Sequence, residues 1–173
     1  MNITIVTLFP EMISSFFHES MIKRAQEKGR VTIDMVNLRD FANDTRGTVD
    51  DRPYGGGPGM IIKAEPILKA VSVIQSAYKS GEKNRTILTS PRGLLFSQKK
   101  ARQYAKLDRL IICAGHYEGM DERVMDVFDE EISIGDYILT GGELPAAVIV
   151  DSVVRLLPGV LKKEDAVEVE TLH

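Results

Sequence analysis

The sequence predicts an α/β fold in which a mostly parallel sheet is covered by helices on both faces. Segments rich in β-branched residues alternate with segments whose apolar residues recur at helical spacing, and this order favours parallel strands joined by helices. The chain has 173 residues, of which 43% are hydrophobic and 27% charged. It is therefore long enough for one domain with a continuous core.

The first half of the chain begins with a strand, a helix and a second strand. Residues 2–8 are rich in β-branched side chains, and residues 11–28 carry apolar side chains near helical spacing up to Gly29, which suits a helix C-terminus. Residues 31–36 alternate in polarity like a half-buried strand. Residues 39–59 have almost no period and much charge, and a loop of this length in a compact domain is usually functional.

The second half repeats the alternation with shorter strands. Helices are predicted at 66–78, 97–107, 121–128 and 144–157, and strands at 86–89, 109–113 and 131–134, with a turn at 90–93. The helix at 144–157 is apolar almost all round, whereas a helix on the surface of a monomer has a polar face. We therefore expect this helix to be buried on both sides, in its own core and against a second copy of the chain.

Three glycine-rich loops are the most informative local features, at 54–59, 115–119 and 133–145. Glycine has no Cβ, so backbone N–H and C=O groups in such loops can approach a ligand closely. The turn at 90–93 and the last two loops follow predicted strands, and ligands of parallel sheets bind beyond the carboxyl ends of strands. We predict that these three segments converge on one site built largely from backbone.

Several function classes are excluded or disfavoured by absent signals. No P-loop, Rossmann fingerprint or nucleophile elbow is present. Cys113 is alone and the three histidines are scattered, which disfavours a zinc site, excludes an internal disulfide and favours the cytoplasm.

No apolar run has the length of a membrane span, and the N-terminus resembles a strand rather than a signal peptide. The net charge of −3 provides no global attraction for nucleic acid, so contact with RNA needs a local patch.

Long, ordered strings of residues resemble the bacterial tRNA (guanine-N1)-methyltransferases. These strings lie at 39–60, 115–123, 133–145 and 151–155, within a likeness that runs from Leu8 to about Leu161. The resemblance implies a SPOUT-class fold with a C-terminal trefoil knot, formed by residues 1–161. It further implies that residues 162–173 begin a linker to a second, helical domain that is absent here.

The same resemblance implies the reaction and the partners. S-adenosylmethionine would donate a methyl group to N1 of the guanine immediately 3′ of the anticodon in tRNA. The protein would be a homodimer with its active site at the subunit interface. The residues themselves indicate no metal site and no contact with a membrane. The cofactor residues carried over by motif are Leu88, Ser90, Pro91, Gly115, Tyr117, Glu118, Gly119, Ser133, Ile134, Gly135, Tyr137, Leu139, Gly141, Gly142 and Pro145.

The remaining site residues follow from the resemblance and from the chemistry that it implies. Asp50, Gly59 and His116 would face the tRNA, and His116 stands where relatives have arginine. Guanine N1 must lose a proton before it attacks, so a carboxylate base is needed, and Glu170 occupies the place of the family's aspartate by ungapped counting. Negative charge then develops on O6, where the guanidinium of Arg155 would stabilise it.

Two other functions stay open on the residues alone. The chain could be a nucleotide- or RNA-binding module without catalysis, in keeping with its acidic net charge. It could also be a metal-dependent hydrolase that uses Asp50 and Asp51, although no histidine or further carboxylate cluster completes such a site.

The single motifs also have plain structural interpretations. Asp151 and Arg155 have the spacing of an ordinary helical ion pair, and the charge of Glu143 suits a helix N-terminus. His116 alone would be a loop histidine. The basic residues between 99 and 109 would be a solvated helix face.

Overall fold

The computed structural model describes residues 1–52, 59–116 and 119–161. Its strands, in chain order, are β1 (Asn2–Thr7), β2 (Thr32–Asn37), β3 (Asp50–Asp51), β4 (Ile61–Ile62), β5 (Asn84–Leu95), β6 (Arg109–Ala114) and β7 (Glu130–Ser133). Five of them form one sheet in the order β2-β1-β6-β5-β7, and every neighbouring pair is parallel. Strands β3 and β4 form a separate antiparallel pair. The predicted parallel sheet is confirmed.

The helices connect the strands of the large sheet. They are α1 (Ser14–Phe17), α2 (Ser20–Glu27), α3 (Ala64–Ser76), α4 (Gln98–Tyr104) and α5 (Glu143–Val154), with 3-10 turns at Pro10–Met12, Leu38–Phe41 and Glu122–Val127. The 3-10 turn at Glu122–Val127 takes the place of the helix predicted at 121–128. Among the described residues, no helix is both long and apolar enough to cross a bilayer.

Each face of the sheet has its own hydrophobic core. In β6, Leu110 and Ile112 belong to the cluster that contains α1, α2, α4 and α5. The intervening Ile111 and Cys113 belong to the cluster that contains α3. This alternation follows from the two-residue period of a strand, and a parallel sheet requires such burial on both faces. The expected helices on both faces are therefore confirmed.

The single helix predicted over 11–28 is wrong. The segment consists of a 3-10 turn, α1 and α2, with a break at Ser20, whose φ is +50°. In one continuous helix Ile13 and Ile22 would lie about 180° apart around the axis, so only one of them could face the sheet. The break buries both, at 2% and 4% exposure. Burial of apolar surface thus overrides the local helical pattern.

The turn predicted at 90–93 is also wrong, because β5 continues through it. The register between β5 and β7 shifts between Thr89 and Leu94, so the segment is an irregularity inside a strand rather than a chain reversal. A Cβ on Gly93 would lie 2.5 Å from the carbonyl carbon of Glu131. Glycine is therefore needed where the two backbones approach. Pro91 is tolerated because a bulge needs no ladder hydrogen bond from the N–H that proline lacks.

The irregular segment predicted at 39–59 contains more structure than its sequence indicates. It includes the turn at Leu38–Phe41 and strand β3, and Arg39 Nη1 donates to the carbonyl of Gly47 at 3.1 Å. Most of the glycine-rich string at 54–59 lies outside the described residues. The β3–β4 pair that flanks it is joined to the chain after β6, since Ile62 N donates to Gly119 O at 3.1 Å and Asp121 N to Ile62 O at 3.0 Å.

Candidate functional site

A cavity of about 950 Å³ lies beyond the ends of β6 and β7 and beside the irregular part of β5. The three segments that the sequence predicted to converge form its walls. The predicted cofactor residues that line it are Leu88, Ser90, Pro91, Gly115, Gly119, Ser133, Ile134, Gly135, Tyr137, Leu139, Gly141, Gly142 and Pro145. Tyr117 and Glu118 lie outside the described residues. The cavity is thus bounded by glycine-containing loops together with apolar and charged side chains such as Leu88, Met120 and Arg123.

Close backbone contacts explain why glycines occur in these loops. Gly142 N donates to Gly115 O at 2.6 Å. A Cβ on Gly142 would lie 2.5 Å from Gly115 N, and a Cβ on Gly115 would lie 2.5 Å from Thr89 O. The loop before α5 therefore passes the loop after β6 at a distance that no side chain would permit.

Thr89 joins the three segments of the site. Its side chain is buried, and its Oγ1 lies 3.3 Å from Cys113 O and 3.2 Å from Gly142 O, to which the hydroxyl can donate. The same oxygen accepts from Gly115 N at 3.2 Å. The sequence analysis missed this residue, because a threonine inside a β-branched strand is ordinary. Its position beside the 90–93 irregularity was the available signal.

The loop after β7 is folded on itself at the edge of the cavity. Ser133 Oγ donates to Gly135 O at 3.0 Å, and a Cβ on Gly135 would lie 2.9 Å from the Tyr137 ring carbon that bears the hydroxyl. The aromatic ring thus covers Gly135. Tyr137 is 54% exposed and Ile138 80%, so the rim presents apolar surface to an incoming ligand.

A buried carboxylate lies behind the cavity wall. Glu143, the first residue of α5, is fully buried, and its Oε1 accepts from Thr7 Oγ1 at 2.8 Å. Its Oε2 lies 3.5 Å from Nδ1 of His116, and His116 itself lines the cavity. Glu143 does lie in the first turn of α5, where the sequence analysis placed its charge, but it is buried against β1 and His116 rather than facing solvent. A carboxylate placed between Gly-Gly and Leu-Pro was the signal in the sequence.

The β3–β4 pair carries polar groups to one side of the cavity. A small polar cavity of about 230 Å³ adjoins the large one and shares Asp121 and Arg123 with it. Arg123 binds Asp121 through Nε at 3.0 Å and Nη2 at 2.6 Å, and this contact holds the pKa of that carboxyl below its usual value. Asp50 lies opposite Ile62 in the pair, and Gly59 precedes β4. Neither is among the residues that line the large cavity.

Of the two predicted catalytic residues, Arg155 does not line the cavity of its own chain. Arg155 follows the last residue of α5, and its backbone N donates to Asp151 O at 3.2 Å. The cavity lies at the other end of this helix of 12 residues, a span of about 18 Å. Glu170 lies outside the described residues.

The exposed side of α5 is apolar over its first two turns. Leu144 is 52% and Val148 44% exposed, whereas Ile149, Val150, Val153 and Val154 are completely buried. The predicted burial of one side of this helix in the core of its own chain is confirmed, and the contact of its other side with a second copy stays a prediction. A solvent-facing apolar stripe beside a site is typical of an interaction surface.

The described residues bear on the metal, the basic segment and the cysteine that the sequence analysis considered. Within residues 1–52, 59–116 and 119–161, no group of three or more histidine, cysteine or acidic side chains could hold a metal ion. In the basic segment, Arg109 Nε donates to Glu82 Oε2 at 2.6 Å and Lys100 binds Glu130, so two of its cations serve local ion pairs. Burial raises the pKa of Cys113 to about 12, which leaves its thiol protonated at neutral pH.

Comparison with known proteins extends over the whole chain. The family model described as tRNA (Guanine-1)-methyltransferase TrmD matches residues 1–173. A tRNA (guanine-N(1)-)-methyltransferase from Dictyoglomus turgidum is 53% identical over 173 residues, which are 100% of this chain and 69% of that protein. One from Carboxydothermus hydrogenoformans is 52% identical over 174 residues, with 99% of this chain and 66% of that protein covered.

A solved structure shares the fold. The tRNA (m1G37) methyltransferase from Aquifex aeolicus superposes with a TM-score of 0.86 at 41% identity, covering 94% of this chain and 72% of that one. The chain spans about two thirds of the length of the curated relatives that it matches. These matches confirm the resemblance drawn from the glycine-rich strings and the methyltransferase class that it implied. The chain belongs to the tRNA (guanine-1)-methyltransferase family.

Proposed function

We propose that this chain binds S-adenosylmethionine in the large cavity and transfers its methyl group to N1 of the guanine that follows the anticodon in tRNA. The observation that carries the proposal is the convergence of the 90–93, 115–119 and 133–145 segments around one cavity of about 950 Å³. This volume is within the range of cofactor and small-ligand sites. The names of the relatives supply the acceptor, which is N1 of guanine in tRNA.

The described residues fit a nucleoside-bearing methyl donor. Gly115, Gly141 and Gly142 line the cavity without side chains of their own, so the backbone of this part of the wall can lie close to the ligand. Leu88, Ile134 and Leu139 give the same wall its apolar surface. S-adenosylmethionine supplies a methyl group on a sulfonium, which needs positioning more than activation. A C-terminal trefoil knot is part of this proposal, and the close passage of Gly142 past Gly115 supports it.

The proposed roles of the other residues follow the chemistry of guanine. Glu170 accepts the N1 proton, and the guanidinium of Arg155 stabilises the charge that develops on O6. Asp50, Gly59 and His116 contact the tRNA. Asp50 and Gly59 can do so because the β3–β4 pair is joined by hydrogen bonds to the chain that lines the cavity at Gly119 and Asp121.

A homodimer is required by this assignment. Arg155 lies about 18 Å along α5 from the cavity of its own chain, so it can act on a bound guanine only in the site of a second copy. The apolar stripe at Leu144 and Val148 provides a surface for that contact. The active site then lies at the subunit interface, with residues 1–161 forming the methyltransferase domain and 162–173 the beginning of a linker.

The function is tested by methyl transfer from labelled S-adenosylmethionine. We expect transfer to a tRNA transcript with guanine after the anticodon and none to a matched transcript with adenine there. The assay uses this chain and a version extended to the length of its relatives, with the higher rate expected in the longer chain. Absence of transfer from both would contradict the proposal and favour a binding module without catalysis.

A further inference from the structure

Glu143 and His116 form a contact whose chemistry the proposed function has not used. The carboxylate of Glu143 is completely inaccessible to solvent. Its Oε2 is buried and has no hydrogen bond within the described residues, while Nδ1 of His116 lies 3.5 Å away. A buried polar atom that lacks a hydrogen bond is costly. We therefore expect Nδ1 of His116 and Oε2 of Glu143 to approach to hydrogen-bond distance when a ligand orders the site, as contacts in active sites often do.

The surroundings of Glu143 leave one of its two oxygens as the acceptor for that bond. The carboxylate is in the first turn of α5, where the helix dipole stabilises negative charge. Thr7 Oγ1 accepts from Phe9 N at 3.0 Å, so the hydroxyl hydrogen is directed at Oε1, 2.8 Å away. One carboxylate oxygen is thus satisfied from β1. The other is left for an N–H donor on His116.

The imidazole is held from several sides. The Phe9 ring lies against it at 4.8 Å between ring centroids, and His116 forms an antiparallel bridge with Gly141. A Cβ on Gly141 would lie 2.5 Å from Nδ1 of the same ring, so the loop before α5 covers the contact. When Nδ1 of the ring is hydrogen-bonded to Glu143, Nε2 is the nitrogen that can contact a ligand. The partner of Nδ1 also sets which of the two nitrogens carries the proton.

We propose that Glu143 is a positioning residue for the substrate: it accepts a hydrogen bond from Nδ1 of His116 and thereby directs Nε2 of that ring toward the tRNA in the cavity. The inference rests on the proposed function, in which His116 contacts tRNA. It adds that α5 serves the site at both of its ends. Glu143 acts at the start of the helix through a histidine, and Arg155 acts at its end in the partner's site.

A double-mutant cycle measures the proposed link in the extended chain. Glu143→Met keeps a flexible side chain of similar length without an acceptor oxygen, whereas Glu143→Gln retains an oxygen that can accept from Nδ1. We expect Glu143→Met to lower kcat/KM for tRNA by roughly 10- to 100-fold, the size expected for loss of a hydrogen bond to a charged group. The loss should be mainly in KM, with affinity for S-adenosylhomocysteine retained and with Glu143→Gln close to the parent.

The cycle is completed in a His116→Ala background. If Glu143 acts through His116, Glu143→Met should have no further effect on tRNA kinetics there, because the two changes remove one interaction. Glu27→Gln, an exposed carboxylate at the end of α2, serves as the control. Additive losses, or an equal loss of affinity for S-adenosylhomocysteine, would show a purely structural role and overturn the proposal.

A spectroscopic measurement separates this inference from the proposed function and from a folding defect. The chain has three histidines, so the ¹⁵N imidazole signals of His116 can be assigned by their loss in His116→Ala. We expect Nδ1 of His116 to be protonated in the parent, and this state to be retained in Glu143→Gln. A ring with a bare Nδ1 would overturn the proposal even if Glu143→Met does not fold. Failure of the parent to methylate tRNA would instead reject the proposed function and leave this result unchanged.

Discussion

At the scale of single residues, the site depends on small groups that let backbone segments touch. Thr89 illustrates this, because one hydroxyl lies within hydrogen-bond reach of Cys113 O, Gly142 O and Gly115 N. It connects the end of β6 with the loop before α5 and with its own strand. A residue that ties three segments at the wall of a cavity affects both stability and ligand affinity.

Replacement of Thr89 by valine tests this connection. Valine keeps the shape but leaves Gly115 N without its acceptor, so we expect the free energy of unfolding to fall by about 1–3 kcal/mol. Affinity for S-adenosylhomocysteine should also decrease. Thr86→Val is the matched control, since Thr86 is equally buried in β5 but bonds Gln75 away from the cavity. Urea denaturation and calorimetry of both variants provide the comparison, and equal ligand affinity in the two would show that Thr89 does not shape the site.

Residue patterns predicted the glycines of the site better than its polar contacts. A glycine next to strand ends has a physical signature in the sequence, because close backbone approach leaves few other choices. For Glu143 the sequence offers only its place between Gly-Gly and Leu-Pro, because its hydroxyl partner, Thr7, is 136 positions away. Thr89 is likewise set apart from other β-branched residues only by its position beside the 90–93 irregularity. Such contacts depend on how the sheet is assembled, which a local pattern does not contain.

At the scale of elements, α5 organises both the core and the site. Its first turn faces the cavity, its buried side packs on the sheet, and its exposed side presents Leu144 and Val148. A 12-residue helix with an apolar outer side is unusual in a monomer. The same helix therefore links the cavity wall with the proposed subunit contact.

Val148→Glu tests the role of this surface. A carboxylate on the apolar stripe would have to be desolvated at the interface, which is unfavourable without a partner charge. We expect the parent to have the mass of a dimer in light scattering at micromolar concentration and the variant that of a monomer. The control is Val73→Glu, since Val73 is 58% exposed on α3, on the opposite face of the sheet. A monomeric parent, or a variant that remains dimeric, would remove the basis for an active site at the interface.

Strong periodic elements were predicted correctly, and the errors occurred where packing overrides local pattern. The strands β1, β2, β6 and β7 and the helices α3 and α5 lie close to their predicted positions. The helix over 11–28 was wrong because Ile13 and Ile22 must both face one core. The turn at 90–93 was wrong because Ser-Pro-Arg-Gly is also the composition of a strand irregularity, and only the pairing of β5 with β7 distinguishes the two.

At the scale of the whole molecule, the strands bring distant loops to one side of the sheet. Residues near 90, 115, 119, 135 and 142 meet around one cavity, although more than 50 positions separate the first from the last. The convergence was predictable from strand-helix alternation, because loops at the carboxyl ends of parallel strands share a side. The threading of a knot was not predictable in this way, since periodicity carries no information on which segment passes through which loop.

The most direct test of the central claim, that this cavity holds the methyl donor, is calorimetric titration of S-adenosylhomocysteine into the parent chain and into Gly141→Ala. The added methyl would lie 2.5 Å from Nδ1 of His116, so the buried His116 and Glu143 side chains or the loop that carries Gly141 must shift at the cavity wall. The control is Gly81→Ala, which strains a turn with a φ of +87° but leaves the new Cβ with no atom within 4 Å and lies outside the cavity lining. We predict saturable binding to the parent and the control, and affinity reduced by at least roughly tenfold in Gly141→Ala, the effect of about 1.4 kcal/mol. No binding to the parent, or equal affinity in all three chains, would contradict the account.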